Sequence, residues 1–312
     1  MKTIVTGGAG FIGSHIVEDL IARGEEVKVI DNLSAGKKEN LKNVWKKIGF
    51  VKGDIRNLSL LKKEFRNADA VFHEAALIQV AKSVENPLET NEANVDGTLK
   101  VLLAARDSGI KKVIFASSCA VYGEKERCGE QDKLDPKSPY AISKLIGEQY
   151  CKLFNQLYGI ETVCLRYFNV YGKRQPSNTA YGAVVPNFIS ALKQGKQVTI
   201  FGDGKQTRDF VHVRDVARAN ILALKKGLIG VFNVGSGKST SILDLYEIII
   251  DVLGKDAEGS ERGAGPRFEA ARKGDVKHIS ADMEKAIKVL GFKPIYSISN
   301  GVRDVLKVRL GE

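Results

Sequence analysis

MKTIVTGGAGFIGSHIVEDLIARGEEVKVID, Met1 to Asp31, sets out a strand, a glycine-rich turn, a helix and a second strand. The apolar run Thr3-Ile4-Val5 reads as a buried strand. Glycine punctuation follows at once, and Ile12 to Arg23 then carries helical periodicity, with Ile12, Ile16, Leu20 and Ile21 on one side. Glu26 to Ile30 forms the second strand and delivers Asp31 at its carboxyl end. In such a βαβ unit the glycines turn the chain tightly and let backbone amides approach a pyrophosphate at the helix N-terminus. They stand at Gly7, Gly10 and Gly13, a G-x-x-G-x-x-G spacing. Asp31 lies about twenty residues beyond the loop, where a carboxylate accepts the ribose hydroxyls of NAD and repels the 2′-phosphate of NADP. Lys37 and Lys38, just past it, are the one local feature that suits NADP.

A chain of 312 residues is long enough for a large core, as one elaborate domain or two lobes. No apolar run reaches the eighteen or so residues that span a bilayer, so no membrane contact is expected. Met1 leads directly into the first strand, which leaves no room for a leader and makes the cytoplasm the default expectation. Cys119, Cys128, Cys151 and Cys164 lack C-x-x-C spacing and a nearby histidine pair, which argues for reduced thiols and against a zinc site; no metal is expected. The net charge of +11 is dispersed among acids rather than gathered into a stripe, so a solvated lysine-rich surface is expected and no nucleic acid.

Strand and helix patterns alternate through the first half of the chain. Strands are expected at Ile48 to Lys52, Ala70 to His73, Lys112 to Ala116 running into Ser117-Ser118, and Thr162 to Arg166. Helices are expected at Leu58 to Phe65, Val95 to Ser108 and Pro139 to Tyr158. This succession predicts an α/β fold with a doubly wound parallel sheet and ligands at the carboxyl ends of its strands. After Asn169 glycine and proline multiply and loops lengthen, with helical segments surviving at Val184 to Lys193 and Ile242 to Leu253. The expected division is a dinucleotide-binding domain over 1–170, rejoined by about 211–233, and a smaller C-terminal lobe over 171–210 and 234–312.

A second signal is Tyr140-Ala141-Ile142-Ser143-Lys144. Ser138 caps a helix and Pro139 suits its first turn, so Tyr140 and Lys144 share a face four residues apart. A phenol near its ordinary pKa of about 10 is a poor base at neutral pH. The ammonium and the helix N-terminus are expected to lower it. Ser117-Ser118 stands upstream at a strand end, beside the same region.

The chain resembles the extended short-chain dehydrogenases/reductases, Rossmann-like in fold, and among them the UDP-glucose 4-epimerase family. The resemblance rests on Thr6 to Gly13, Asp31-Asn32-Leu33-Ser34, Gly53-Asp54-Ile55, His73-Glu74-Ala75-Ala76 and Asn94 to Thr98. It continues through Ser117 to Gly123, Ser138 to Lys144, Arg166 to Gly172, Gly202 to Phe210, Asn233 to Gly237 and Arg272 to Val276. It implies Tyr140 as the group that takes the proton from the sugar 4-hydroxyl, Ser118 as the holder of that oxygen, and Lys144 as ligand of the nicotinamide ribose. NAD would lie along Gly7, Gly10, Phe11, Ile12, Gly13, Asp31 and Asn32, with Asp54 and Ile55 at the adenine and Ala75, Ala76 and Asn94 along the cleft. A UDP-sugar would meet Asn169, Val185, Arg208, Arg272 and Asp275, since two phosphates suit guanidinium forks and a uridine ribose suits a carboxylate. Arg166 is read as structural.

Relatives on this scaffold dehydrate or decarboxylate nucleotide sugars with carboxylates just after the catalytic Ser/Thr. Here those positions are Cys119 and Ala120, which favours C4 epimerisation through a 4-keto sugar. Cys119 is read as a small packing residue. Ile279, at the family's pocket-width position, lies between the bulky and the small residue types; UDP-glucose/UDP-galactose is the expected substrate pair. UDP-N-acetylglucosamine or UDP-glucuronate 4-epimerisation is the alternative, and dehydration or decarboxylation a weaker one. A non-catalytic NAD- or RNA-binding relative is the rival from another class. The resemblance also implies a homodimer in which helices beginning near Val95 and Pro139 pair as a four-helix bundle.

Overall fold

A computed structural model describes residues 1–177, 184–256, 265–271 and 276–307. In chain order the first half supplies strands β1 (Lys2–Thr6), β2 (Glu26–Asp31), β3 (Ile48–Lys52), β4 (Ala70–His73), β5 (Lys112–Ser118), β6 (Lys125–Cys128), β7 (Glu161–Tyr167) and β8 (Asn169–Tyr171). Its helices are α1 (Phe11–Ala22), α2 (Leu58–Glu64), α3 (Val80–Glu85), α4 (Pro87–Asn91), α5 (Gly97–Asp107) and α6 (Pro139–Tyr158). The second half adds β9 (Thr199–Phe201), β10 (Thr207–Arg208), β11 (Phe210–His212), β12 (Gly230–Val234), β13 (Thr240–Ser241), β14 (Arg267–Glu269) and β15 (His278–Ala281). Helices α7 (Val184–Lys193), α8 (Val213–Leu222), α9 (Ile242–Asp256) and α10 (Ile298–Lys307) complete it.

Seven strands form one sheet in the order β3-β2-β1-β4-β5-β7-β12, every neighbouring pair parallel. The chain runs outward from β1 in one direction and then, from β4, in the other. The order reverses between β1 and β4, and there the carboxyl ends of the strands open a crevice. Alternation along each strand sends side chains to two apolar layers. Val5, Phe72 and Ile114 pack with Ile16, Leu20, Val216 and Ala217 from α1 and α8. Ile4, Val71, Val113 and Phe115 pack with Leu61, Val101, Leu102 and Phe154 from α2, α5 and α6. A third core gathers Val185, Phe188 and Ile189 of α7 with Ile200, Leu245, Ile249, Val302 and Leu306.

The predicted helix over Val95 to Ser108 is shorter as α5, because a wider single turn, Glu92–Asp96, leads into it. α3, α4 and β6 (Lys-Glu-Arg-Cys) are not among the elements expected from sequence. β6 is a strand because it pairs with β15, more than 150 residues away, in the sheet ordered β13-β10-β15-β6.

One buried network locks α6 to the sheet. Arg166 on β7 donates two parallel bonds to the Glu148 carboxylate on α6, at 2.8 and 2.7 Å. Ser117 at the end of β5 donates to the same carboxylate, and the third Arg166 nitrogen donates to the Tyr122 hydroxyl at 2.8 Å. Tyr122 donates on to Asn233 of β12 at 2.7 Å. Both charged side chains are almost fully enclosed, so the structural reading of Arg166 stands. Replacing Arg166 by methionine leaves Glu148 buried without its partner. Urea unfolding should show a loss of about 3–5 kcal/mol; an unchanged midpoint would contradict the network.

Candidate active site

The first wall of the crevice is the turn after β1. Gly7 has φ +70°, and a Cβ there would lie 2.7 Å from the Ala75 amide nitrogen of the chain leaving β4. A Cβ on Gly13 would lie 2.3 Å from the Gly7 carbonyl oxygen. Only glycines allow the two backbones and the first turn of α1 to close this tightly. α1 starts with Gly10 as its N-cap, with no side chain bonded to its free amides and no acid in its first turn, so Phe11, Ile12 and Gly13 begin a helix end open to an anion.

At the end of β2, Asp31 accepts from the Ala9 and Leu33 amides at 2.9 and 2.8 Å. Desolvation raises its carboxyl, and those two amides counter the shift. Asn32 donates to Asp54 at 3.1 Å, and Arg56 makes a paired contact with the same carboxylate, which holds Asp54 well below the usual carboxylate range. Ile55 is buried beside α5. Lys38 lies over Trp45 and Phe50, 5.5 and 5.7 Å from their centroids, so this ammonium is turned to an aromatic pair beside the Asp31 turn. Ala76 follows Ala75 in the segment leaving β4. Asn94 accepts from the Leu77 amide at 2.8 Å and donates to the Leu77 carbonyl and to Ser143, pinning that segment to α6.

The second wall is built by β5 and α6. Ser138 caps α6 by accepting from the Ala141 amide, and Pro139 opens the helix, as the sequence predicts. Ser118 ends β5 and accepts from the Ala120 amide at 3.2 Å, which leaves its own proton free to donate. The Tyr140 hydroxyl lies near enough to Ser118 for the serine to act on its ionisation. Lys144 crosses below, its ammonium 2.8 Å from the Ala116 carbonyl and 5.9 Å from the Tyr140 ring centroid. The three expected residues therefore converge.

Their electrostatics differ from expectation. Desolvation pushes the Tyr140 phenol up to about 12, against the lowering effect of Ser118, and lowers Lys144 to about 8. Tyr140 is not lowered by Lys144 and the helix N-terminus as expected. The physical reason is that desolvation dominates and the ammonium is directed at Ala116 rather than at the phenol oxygen. Cys119 rises to about 12 by desolvation, so its thiol stays protonated and it packs against the core.

On the far side, Asn169 lies on β8 with its Oδ1 buried and without a partner among the described residues. Arg208 on β10 donates to the Thr207 and Lys277 carbonyls at 2.8 and 3.3 Å. The Val185 side chain is 1% exposed and packs in the third core. Its side chain is apolar and is drawn in by Phe188 and Ile189. Arg272 and Asp275 lie outside the described residues. Sequence reading assigned nothing to Glu74 or Tyr167, which bond to each other at the crevice floor (2.9 Å); an acid directly after a buried strand was the available signal.

A sheet in this order, a glycine turn at its switch point and a converging Ser118-Tyr140-Lys144 set define an extended short-chain dehydrogenase/reductase. The chain belongs to the NAD dependent epimerase/dehydratase family, whose sequence model matches residues 3–235. It is 43% identical over 309 residues to a putative UDP-glucose 4-epimerase of Methanocaldococcus jannaschii, covering 97% of this chain and 96% of that one. Among solved structures it is similar to the UDP-N-acetylglucosamine 4-epimerase of Methanobrevibacter ruminantium in complex with UDP-N-acetylmuramic acid. That match has a TM-score of 0.93 and 44% identity, over 99% of this chain and 98% of that one. The Thermus thermophilus UDP-glucose 4-epimerase complex with NAD gives a TM-score of 0.89 and 38% identity, over 100% and 99% of the two chains.

NAD is the cofactor of this enzyme, and the residues present fit it: an uncapped helix end for the pyrophosphate, an acid at the ribose position and no room for side chains between. Overpacking of this kind costs about 1–3 kcal/mol, so Gly13→Ala should weaken NAD affinity roughly 5- to 150-fold. Calorimetric titration of NAD into the stripped protein reads this directly; equal affinities would refute the tight closure.

Proposed function

We propose that the protein interconverts C4 epimers of a UDP-hexose, with UDP-glucose and UDP-galactose as the preferred pair. The observation that carries this reading is the convergence of Ser118, Tyr140 and Lys144 beside Cys119 and Ala120, neither of which offers a carboxylate. Eliminating water or carbon dioxide on this scaffold calls for an acid there. Epimerisation needs only a proton acceptor, a holder for the 4-oxygen and a reversible redox partner.

NAD, when bound, supplies that reversible hydride exchange. Ser118 holds the sugar 4-oxygen with the proton left free by its Ala120 contact. Tyr140 takes the hydroxyl proton as the 4-keto sugar forms and returns it after the ring presents its other face. To take that proton Tyr140 acts as the phenolate, the form that a positive charge beneath the ring favours, and the phenol it becomes is the acid of the return step. Lys144 holds the nicotinamide ribose and a positive charge under the phenol. Residues 1–170 with 211–233 carry the cofactor in this reading, and 171–210 with 234–312 carry the sugar nucleotide. Asn169, Arg208, Arg272 and Asp275 are assigned to the UDP moiety, supported by the unpartnered buried Oδ1 of Asn169.

UDP-N-acetylglucosamine is the second reading, favoured by the likeness to the Methanobrevibacter enzyme. Ile279 is buried on β15, in register with Arg208, and is smaller than an aromatic residue at the same place would be. A homodimer also forms part of the proposal. α6 leaves Ile142, Leu153 and Leu157 exposed, and the adjacent α3 and α4 leave Val84 and Leu88 exposed, an apolar face a second copy would cover. A cytoplasmic location and a part in galactose metabolism fit the four free cysteines and the substrate pair.

Incubation with single UDP-sugars, followed by NMR, should yield the C4 epimer with no net redox change, fastest from UDP-glucose or UDP-galactose. Tyr140→Phe should lower kcat by about 10²–10⁴-fold. Stoichiometric consumption of added nicotinamide cofactor, or loss of water from the sugar, would sink the proposal. Light scattering should give twice the 34.1 kDa chain mass, and Leu157→Glu should shift it toward one.

A further inference from the structure

Asp209 is the single residue between β10 and β11, where the chain passes from the sheet ordered β13-β10-β15-β6 to the pair β8-β11. It is 0% exposed. Its backbone and its side chain hold different elements. The Asp209 carbonyl accepts from the Asn169 amide at 2.9 Å, which fixes the start of β8 against this junction. Oδ1 accepts from the Ser236 amide and hydroxyl at 2.6 and 2.7 Å. Oδ2 accepts from the Gly237 amide at 2.9 Å and from the Ala281 amide of β15 at 3.0 Å. The turn after β12 closes so tightly on this carboxylate that a Cβ on Gly235 would lie 2.6 Å from Oδ2.

β15 in turn supports Arg208. The register pairs Thr207 with His278 and Arg208 with Ile279. The Lys277 carbonyl, just before β15, accepts from the Thr207 amide at 2.9 Å and from the Arg208 guanidinium at 3.3 Å. The strand anchored by Asp209 at Ala281 is therefore the strand that gives Arg208 its backbone acceptor. Enclosing a carboxylate is costly unless its bonds are made, and here both oxygens are satisfied. An ionised carboxyl accepts on two oxygens, and its bonds are short and directional. One side chain can then clamp a turn and a strand together.

We propose that Asp209 is a positioning residue for the sugar nucleotide: by clamping β15 to the turn after β12 it sets the place of the Arg208 guanidinium, while its carbonyl sets that of Asn169. This rests on the assignment of Asn169 and Arg208 to the UDP moiety under the epimerase reading. Asp209→Asn keeps the size of the side chain but accepts on one oxygen only and turns an NH2 group toward the remaining donors. Either the turn or β15 loses its anchor, and Arg208 loses its fixed support. The cofactor crevice beside β1 is built by other residues, so UDP should bind more weakly while NAD binds as before.

The test titrates UDP calorimetrically into the NAD-loaded holoenzyme for the wild type, Asp209→Asn, Ser236→Ala and Arg208→Met, with kcat and KM measured on the UDP-sugar turned over fastest. Asp209→Asn should weaken UDP and raise KM by about 10-fold, within the range that a contact acting through its neighbours transmits. The loss should fall on KM rather than on kcat, and NAD affinity should stay as in the wild type. Ser236→Ala removes one of the four donors and should weaken UDP by about 3-fold.

An unchanged UDP affinity in Asp209→Asn, even with a lower melting temperature, overturns the proposal, since a carboxylate that only holds the fold together predicts that pair of results. An equal loss of UDP and NAD affinity overturns it as well. If Asp209→Asn does not fold, Ser236→Ala decides: wild-type UDP affinity there refutes the clamp. Arg208→Met tests the underlying assignment separately. No loss of UDP affinity in that variant removes Arg208 from the UDP site, whereas a loss there with none in Asp209→Asn removes the positioning role alone.

Discussion

The paired contact between Arg166 and Glu148 is the interaction on which the site's geometry hangs. It joins β7 to α6, and through Ser117 it joins both to the end of β5. Ser118 is the next residue along that strand, and Lys144 lies one helical turn before Glu148. α6 is thereby held in one axial position against the sheet. A buried ion pair adds little net stability over an apolar packing of the same volume. A planar guanidinium fork does, however, allow a single relative orientation of its partners. Tyr122 and Asn233 carry the same constraint to β12, so the edge of the sheet next to the far-side residues is tied in as well.

The opposite wall is set by excluded volume rather than by charge. The turn after β1 and the chain leaving β4 approach until no side chain fits at Gly7, and the first turn of α1 closes over Gly13. The backbone amides of the first turn of α1 have no side-chain cap there. One wall thus offers a bare helix end suited to an anion, and the other offers a phenol, a hydroxyl and an ammonium. Dehydration of that second wall is what moves its acids and bases. The phenol is raised, the ammonium lowered and the carboxyl of Glu74 raised, all by loss of water before any pairwise contact acts.

Most of the large sheet was legible from local pattern. β3 and β4 have the predicted bounds, as does α6, because a buried parallel strand is a short apolar run and α6 has a serine cap, a proline and a long apolar face. The Ser118-Tyr140-Lys144 set was legible for the same reason: its spacing is carried by one strand end and one helix. β6, β10, β13 and β15 were not, since strands of two to four residues acquire their pairing from partners far along the chain.

By itself the sequence determined the βαβ unit, the parallel order of elements, the glycine turn and the spacing that brings Ser118, Tyr140 and Lys144 together. Those features depend on spacing along the chain, where glycine, periodicity and helix caps act within a few residues. Only the tertiary structure decided the protonation landscape: the raised Tyr140, the lowered Lys144, and the raised Glu74 bonded to Tyr167 on another strand. Titration depends on how much water reaches a group and on which charges stand across space, and neither is written in the order of residues.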